Sequence, residues 1–408
     1  MFSTKILARV SLVTIAAGLI ALSLSRQPGD ASGELSVLME PDGTGVWRGL
    51  ISEFNRQNPG PPVRLVEGPP STNAREDMYS TSFLSGQEGY DIVYSDVIWT
   101  PKFAAAGWLL DLTPHVTLRD REDFLPADLK ASSYKGKLYR WPAFADVGLL
   151  YYRRDLAGDP PETFDRLLEK AQQLRSADMW GFLWQGKQYE GLVTVFLEVL
   201  WGMGGEWLDV DRQKVQLDKP EAVQAVEFLK GTIGTVSPPG VTTYVEEDTR
   251  ALFQGGRSVF LRSWPYVWTL IQKSTTPFAN DVGLAPMVHG PGYESSGVLG
   301  GWGFSISKFS RNPDRALAFV RFITAHEQLE IVHKSMGRIP SRKSLVPPEF
   351  APVFLHARMR PPIPQYAQAS DVLQRGVSRA LTGQQSPETA MAEAARETRA
   401  LLGWSDLQ

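Results

Sequence analysis

From Gly33 almost to its end, the chain alternates short apolar runs with amphipathic stretches, and this pattern restricts the fold more than any single motif. Residues 35–39, 63–66 and 91–94 are apolar runs of strand length. Between them, 46–58 places Trp47, Leu50, Ile51 and Phe54 on one face at helical spacing, and 74–84 carries a second helix. Strand followed by helix, repeated, predicts an α/β protein with mainly parallel sheets. Lys135-Gly136-Lys137, set between Tyr134 and Leu138, predicts a tight hairpin turn.

The second half repeats the style. The pattern predicts helices over 161–175, with proline near the first turn, and over 220–229, with Asp218 before Pro220 and Gly231 as the stop signal. Residues 191–200 are almost wholly apolar, so that helix should be buried. Two more helices are expected over 313–324 and 327–335. Arg360-Pro361-Pro362-Ile363-Pro364 should form a rigid extended connector, and the last 35 residues a polar helical tail. A chain of 408 residues is too long for one core and divides into two or three domains.

Composition excludes several functions. A formal net charge of −3 gives no broad basic footprint for nucleic acid, and no polybasic run suits an anionic membrane surface. With no cysteine, the chain has no disulfides, thiolate metal sites, cysteine nucleophile or lipid-modified cysteine anchor. Lys5 and Arg9 precede a mostly apolar run over 10–24, and Ser23-Leu24-Ser25 supplies small residues at signal-peptidase spacing. That run, about 15 residues, is short for a membrane span of ~20. A secretory signal over residues 1–26 is therefore expected, with an uncleaved N-terminal anchor as the alternative.

Enzymatic motifs are sparse. The five histidines, at 115, 289, 326, 333 and 356, show no metal-ligand spacing, and no Gly-x-Ser-x-Gly elbow occurs. Gly181 to Lys187 mimics a phosphate loop, but Gln188 stands where a magnesium-binding hydroxyl belongs, and the loop holds Phe182, Leu183 and Trp184. Gly300-Gly301-Trp302-Gly303 likewise fails the dinucleotide fingerprint at Ile306. No cofactor and no metal are expected. Glu40, Asp96 and Asp146 each end an apparent strand, where α/β ligand sites lie. Paired carboxylates of this kind keep open a secreted glycosidase using Asp96 and Asp146.

Twelve tryptophans point the other way. A pyranose stacks its apolar face on an indole while its hydroxyls need Asp, Glu, Asn and Arg partners. Trp264 and Trp302 lie beside glycines, prolines and charges, as binding residues do; Trp108 and Trp201, in apolar contexts, suit the core.

Four segments then carry a resemblance: YDIVYSDVIWTPKFAAAGWLLDLTPHV (90–116), YKGKLYRWPAFADVGLLYYRRDL (134–156), ALFQGGRSVFLRSWPYVW (251–268) and GVLGGWGFSISKFSRNPDRALAFVRFI (297–323). In this order, across about residues 34–380, the chain resembles the extracellular solute-binding proteins of the trehalose/maltose-binding type. The resemblance implies a two-lobed periplasmic-binding-protein fold with discontinuous lobes and a hinge, lobe 1 from 30–144 plus 298–345 and lobe 2 from 145–297 plus 346–408. It implies a small sugar ligand held in the cleft, a monomer, and delivery to ABC importer permease subunits served by a separate ATPase. An enzyme is not implied. Matched motif by motif, Glu40, Arg75 and Asp96 should meet hydroxyls from the first lobe, and Asp146 should do so near the hinge. Trp264 and Tyr266 should supply stacking and a phenol from the second lobe. Gly301 and Trp302 should close over the ring, and Arg360 should reach in from the C-terminal segment. Phe144 stands where some relatives have tyrosine, which removes a hydroxyl partner. Family members with these motifs take trehalose, maltose, sucrose or glucosylglycerol. A surface adhesin without a transporter is the weaker alternative.

Overall fold

The computed structural model describes residues 33–86 and 89–404; the expected signal segment lies outside them. Two sheets dominate. The first has seven strands, with Leu35–Met39 parallel to both Val63–Glu67 and Ile92–Asp96. Gly297–Ile306 then runs antiparallel to Ile92–Asp96 and to Trp141–Val147, and Ile339–Pro340 pairs antiparallel with Trp141–Val147. Ala357–Arg358 adds a short parallel pair to Gly297–Val298. The second sheet places Leu149–Arg153 between Val282–Ala285 and Ser258–Ser263, both antiparallel to it, and Trp180–Leu183 parallel to Ser258–Ser263.

Both sheets are therefore mixed, where the strand–helix alternation predicted mainly parallel pairing. Alternation describes how the chain enters each sheet, and it carries no signal for strands that return from the other one. Trp141–Val147 runs through Gly148 directly into Leu149–Arg153, so one extended stretch belongs to both sheets. Gly297–Ile306, fully buried over its whole length, is the second connection.

Each sheet has its own core. Around the first, Trp47 packs against Tyr94, Phe144 and Phe304 with ring centroids 6.1–6.4 Å apart. On the second, helix Glu190–Gly202 is buried at every position, as its apolar composition requires. Helix Tyr366–Leu381 covers it and Pro387–Leu402 packs on that second helix, sinking Leu373, Val377, Met391 and Ala394 into the same core. The C-terminal tail is thus helical as expected but amphipathic rather than polar, because small alanines form its buried face.

Local signals explain most element ends. Lys135 and Gly136 take φ of 48° and 79°, the double left-handed turn that closes a two-residue hairpin between Ser133–Tyr134 and Lys137–Leu138. The helix expected over 161–175 is Phe164–Leu174, because Thr163 caps it by accepting from the Arg166 amide at 3.3 Å. Asp218 does not cap Pro220–Thr232; its carboxylate pairs with Arg399 at 2.7 Å and leaves Lys219 at the cap position. Gly231 lies inside that helix, and Gly234, at φ 73°, follows its end. Trp180–Leu183 is a strand rather than a phosphate loop, and Trp184 Nε1 donates to Thr232 Oγ1 at 3.0 Å.

Candidate functional site

The expected ligand residues collect where the two connecting strands pass between the sheets. Asp96 ends its strand and pairs in register with Trp302, which in turn faces Phe144; Gly300 faces Asp146, and Gly301 faces Ala145. The strand register thereby sets Asp96, Trp302, Phe144 and Asp146 side by side. Gly301 has φ 134°, and a Cβ there would lie 2.5 Å from the Phe144 carbonyl oxygen, so only glycine lets the strands approach this closely. The pairing shifts register between Trp302 and Gly303, a bulge of the kind that re-aims side chains beside binding sites.

Three arginines hold the carboxylates. Arg360, 6% exposed, donates to Glu190 Oε1 at 2.7 Å and to Asp96 Oδ1 at 3.5 Å. It therefore ties the end of a first-sheet strand to the start of the buried helix Glu190–Gly202 in the second core. Tyr366 Oη also donates to Glu190, at 2.6 Å. Burial works against the Arg360 charge, yet Tyr366, Asp96 and Glu190 outweigh it and hold the guanidinium above its ordinary range. Arg75 donates to the carbonyls of Pro69 and Pro70 at 2.7 and 2.8 Å and lies 3.8 Å from Glu40. Arg338 donates to Glu40 at 2.9 Å and lies 3.8 Å from Asp146 Oδ2.

Asp146 is the carboxylate least satisfied by protein. Its Oδ1 is buried with no hydrogen-bond partner among the described residues. Burial pushes its carboxyl up to about 6, with Glu40, Asp96 and Asp128 adding to the rise and Arg338 opposing it. A buried acceptor left open in this way suits a ligand hydroxyl. Arg75 Nε and Arg360 Nε are also buried and without partners, two donors of the same kind.

The aromatics divide. Trp264 is partly exposed, with Arg262 over its ring at 4.2 Å and its Nε1 donating to Glu246 at 3.3 Å. A Cβ on Gly300 would meet the Trp264 ring at 3.3 Å, so this indole sits directly against the connecting strand. Tyr266 donates to Glu247 at 2.8 Å; burial and the two acids Glu247 and Glu246 push its phenol far above the usual value. Trp302 is less available than its sequence context suggests. Tyr94 stacks on it at 4.6 Å, Arg75 lies over the ring at 5.0 Å, and it is 8% exposed. Phe144 is wholly buried and stacks on Trp47 at 6.4 Å, so it meets the site only beneath the Arg338 guanidinium at 5.3 Å.

The ten expected ligand residues all lie at this junction, together with Arg338, Glu190, Tyr94 and Glu246, which the sequence did not single out. Glu190 had a signal, since an acid opening an otherwise apolar helix needs a partner. Arg338, between a helix-ending glycine and a proline, carried none. Of the two tryptophans assigned to the core, Trp201 is there, 3% exposed. Trp108 lies at the core's edge, partly exposed against Phe83 and Phe103.

Two lobes joined by crossing strands, with acids, arginines and indoles at the junction, define a two-lobed solute-binding protein of the maltose-binding type. Residues 40–330 match the family described as bacterial extracellular solute-binding protein. A probable ABC transporter-binding protein of Deinococcus radiodurans is 31% identical over 357 residues, 81% of this chain and 84% of its own. Among solved structures, maltose-bound T. maritima MalE3 is 37% identical with a TM-score of 0.85, covering 90% of this chain and 99% of that one. A solute-binding protein of Thermotoga lettingae bound to α-D-tagatose is 26% identical with a TM-score of 0.82, covering 91% and 100%. The chain belongs to the bacterial extracellular solute-binding proteins, the substrate-binding proteins of ABC transporters, and is not an enzyme. The glycosidase alternative for Asp96 and Asp146 falls with that assignment.

Proposed function

We propose that this protein captures a small neutral α-glucoside between its lobes and delivers it to the permease of an ABC importer. The observation that carries this is the open Asp146 Oδ1, set beside the Arg338–Glu40 pair and close to the two connecting strands. The maltose held by the 37%-identical relative supports the α-glucoside class. Trehalose, maltose, sucrose and glucosylglycerol share the α-linked glucosyl unit that the motifs imply.

In this reading, lobe 1 comprises 30–144 plus 298–345 and lobe 2 comprises 145–297 plus 346–408, with the hinge near Gly148 and Val298. Beneath it, Glu198 binds Arg262 through both oxygens and accepts from the Val298 amide at 3.1 Å, a buried pair that would keep the hinge in register while the lobes rotate. Hydroxyls of the ligand would meet Glu40, Asp96, Asp146, Arg75 and Arg360, with Trp264, Tyr266, Gly301 and Trp302 about the ring. The protein would be exported by its N-terminal segment and act as a monomer. Among the described residues, no helix is long and apolar enough to cross a membrane.

A thermal-shift panel tests the substrate class. Maltose, trehalose, sucrose and glucosylglycerol are set against mannitol, ribitol and tagatose; at ~100 times its dissociation constant the true ligand adds about 2.7 kcal/mol of stability. A shift with an α-glucoside and none with the polyols or tagatose is expected. A shift with a polyol or tagatose alone would replace the α-glucoside assignment.

A further inference from the structure

Arg338 stands at the meeting point of the two lobes. It follows Gly337, whose φ of 74° ends helix His326–Met336 in the left-handed conformation. A Cβ at 337 would lie 2.8 Å from both the Tyr266 carbonyl oxygen and Thr269 Cβ. Glycine thus lets this turn press directly on the second-lobe helix Tyr266–Gln272. From there the Arg338 guanidinium reaches Glu40 and Asp146 at 2.9 and 3.8 Å and lies over the Phe144 and Tyr266 rings at 5.3 and 5.4 Å. Its side chain keeps 18% of its surface open.

The charges around the site fall in two sets, three guanidiniums facing four carboxylates. Arg360 serves Asp96 and Glu190, and Arg338 serves Glu40 and Asp146, with Arg75 adding to Glu40 from 3.8 Å. Each of these cations is committed to a carboxylate, so an anionic ligand would have to compete for it. At the Arg338 end, two acids depend chiefly on one guanidinium. An ammonium brought there would meet a like charge already bonded to Glu40 and 3.8 Å from Asp146, which is how a site rejects a ligand by repulsion.

We propose that Arg338 sets the charge class of the ligand: by countering, together with Arg75, the charges of Glu40 and Asp146 it fits the cleft to an uncharged sugar and excludes protonated amino sugars. This rests on the neutral-sugar function proposed above. Arg338 is the internal counterion of the two acids; once it is removed, they recruit an external one.

Calorimetric titration at neutral pH of wild type, Arg338→Met and Arg338→Lys with maltose and with maltosamine, which replaces one hydroxyl by an ammonium, tests this. Wild type should prefer maltose. Arg338→Met should shift the preference toward maltosamine by about tenfold or more, the scale of a lost like-charge repulsion, and Arg338→Lys should restore the wild-type ratio. An unchanged ratio in Arg338→Met would overturn the proposal. Failure of wild type to bind maltose or any of the other three α-glucosides would overturn the α-glucoside function and this inference together, whereas wild-type binding with an unchanged ratio would overturn the inference alone.

Melting without ligand gives an independent reading. Asp146 is faced by Glu40, Asp96, Asp128, Tyr94 and Tyr151 as well as Arg338. With the guanidinium gone, Arg338→Met should lose more stability relative to wild type at about pH 8 than at about pH 5, where Asp146 can protonate, and Arg338→Lys should lose little at either. Equal losses for Arg338→Met at both values would overturn the counterion role.

Discussion

Asp96 and Arg360 lie 3.5 Å apart although 264 residues separate them in the chain. One ends a first-sheet strand, and the other follows the short strand Ala357–Arg358 on its way to the C-terminal helices. Through Glu190, the same arginine reaches the second core. The pair therefore ties the first sheet to the second core as well as standing among the expected ligand residues.

Breaking this set by one member leaves buried acids uncompensated. Arg360→Ala should cost about 3–5 kcal/mol of stability, because Asp96 and Glu190 lose their cation in a water-poor setting. The double variant Arg360→Met with Glu190→Gln should recover much of that loss. Thermal denaturation of the two variants checks this; equal melting points for them would show that the charge is not the cause.

Asp146 gives a pH signature. Its folded carboxyl titrates at about 6 against an ordinary value of 3.8, so the folded state holds the proton more tightly than the unfolded chain. The stabilisation from that proton is present below about pH 4 and is lost as pH rises through about 6. Asp146→Asn removes the cost of the buried charge. Its melting point should exceed that of wild type at about pH 8, and the advantage should shrink toward about pH 5. Melting curves across that window decide it; a constant difference would argue against Asp146 as the titrating group.

The tryptophans separate binding from packing. Trp302→Ala opens a gap beneath Tyr94 and Arg75, so it should cost about 3–5 kcal/mol of stability and also weaken sugar binding. Trp108→Ala, at the core's edge, should cost less and leave affinity unchanged. Titration of the folded fraction of each variant reads the difference. Loss of affinity in Trp108→Ala would place the ligand elsewhere.

Much of this arrangement was legible before any coordinates. Strands ending at Met39 and Asp96, the buried helix over 191–200 and the hairpin at Lys135-Gly136 each follow from local pattern: apolar runs, uniform hydrophobicity, and residues that accept positive φ. The antiparallel course of Trp141–Val147 and Gly297–Ile306 was not legible, because periodicity carries no strand direction. Nor was the exposure of Trp302. Its glycine neighbours signal an open indole, but those glycines serve close strand approach, and Tyr94 and Arg75 cover the ring. Arg338 escaped for a related reason: its partners Glu40, Asp146 and Tyr266 lie far away in sequence, and only the left-handed Gly337 brings it to them.

The most direct test of a sugar cleft built on these residues is calorimetric titration of wild type and Asp96→Ala with the sugar that stabilises the protein, with the sugar recovered afterwards and weighed by mass spectrometry. Wild type should bind in the micromolar range. Asp96→Ala should bind roughly 10- to 150-fold more weakly, the loss of one charge-assisted hydrogen bond of about 1.5–3 kcal/mol, and the sugar should return intact. Unchanged affinity in Asp96→Ala, or a cleaved sugar, would contradict the account.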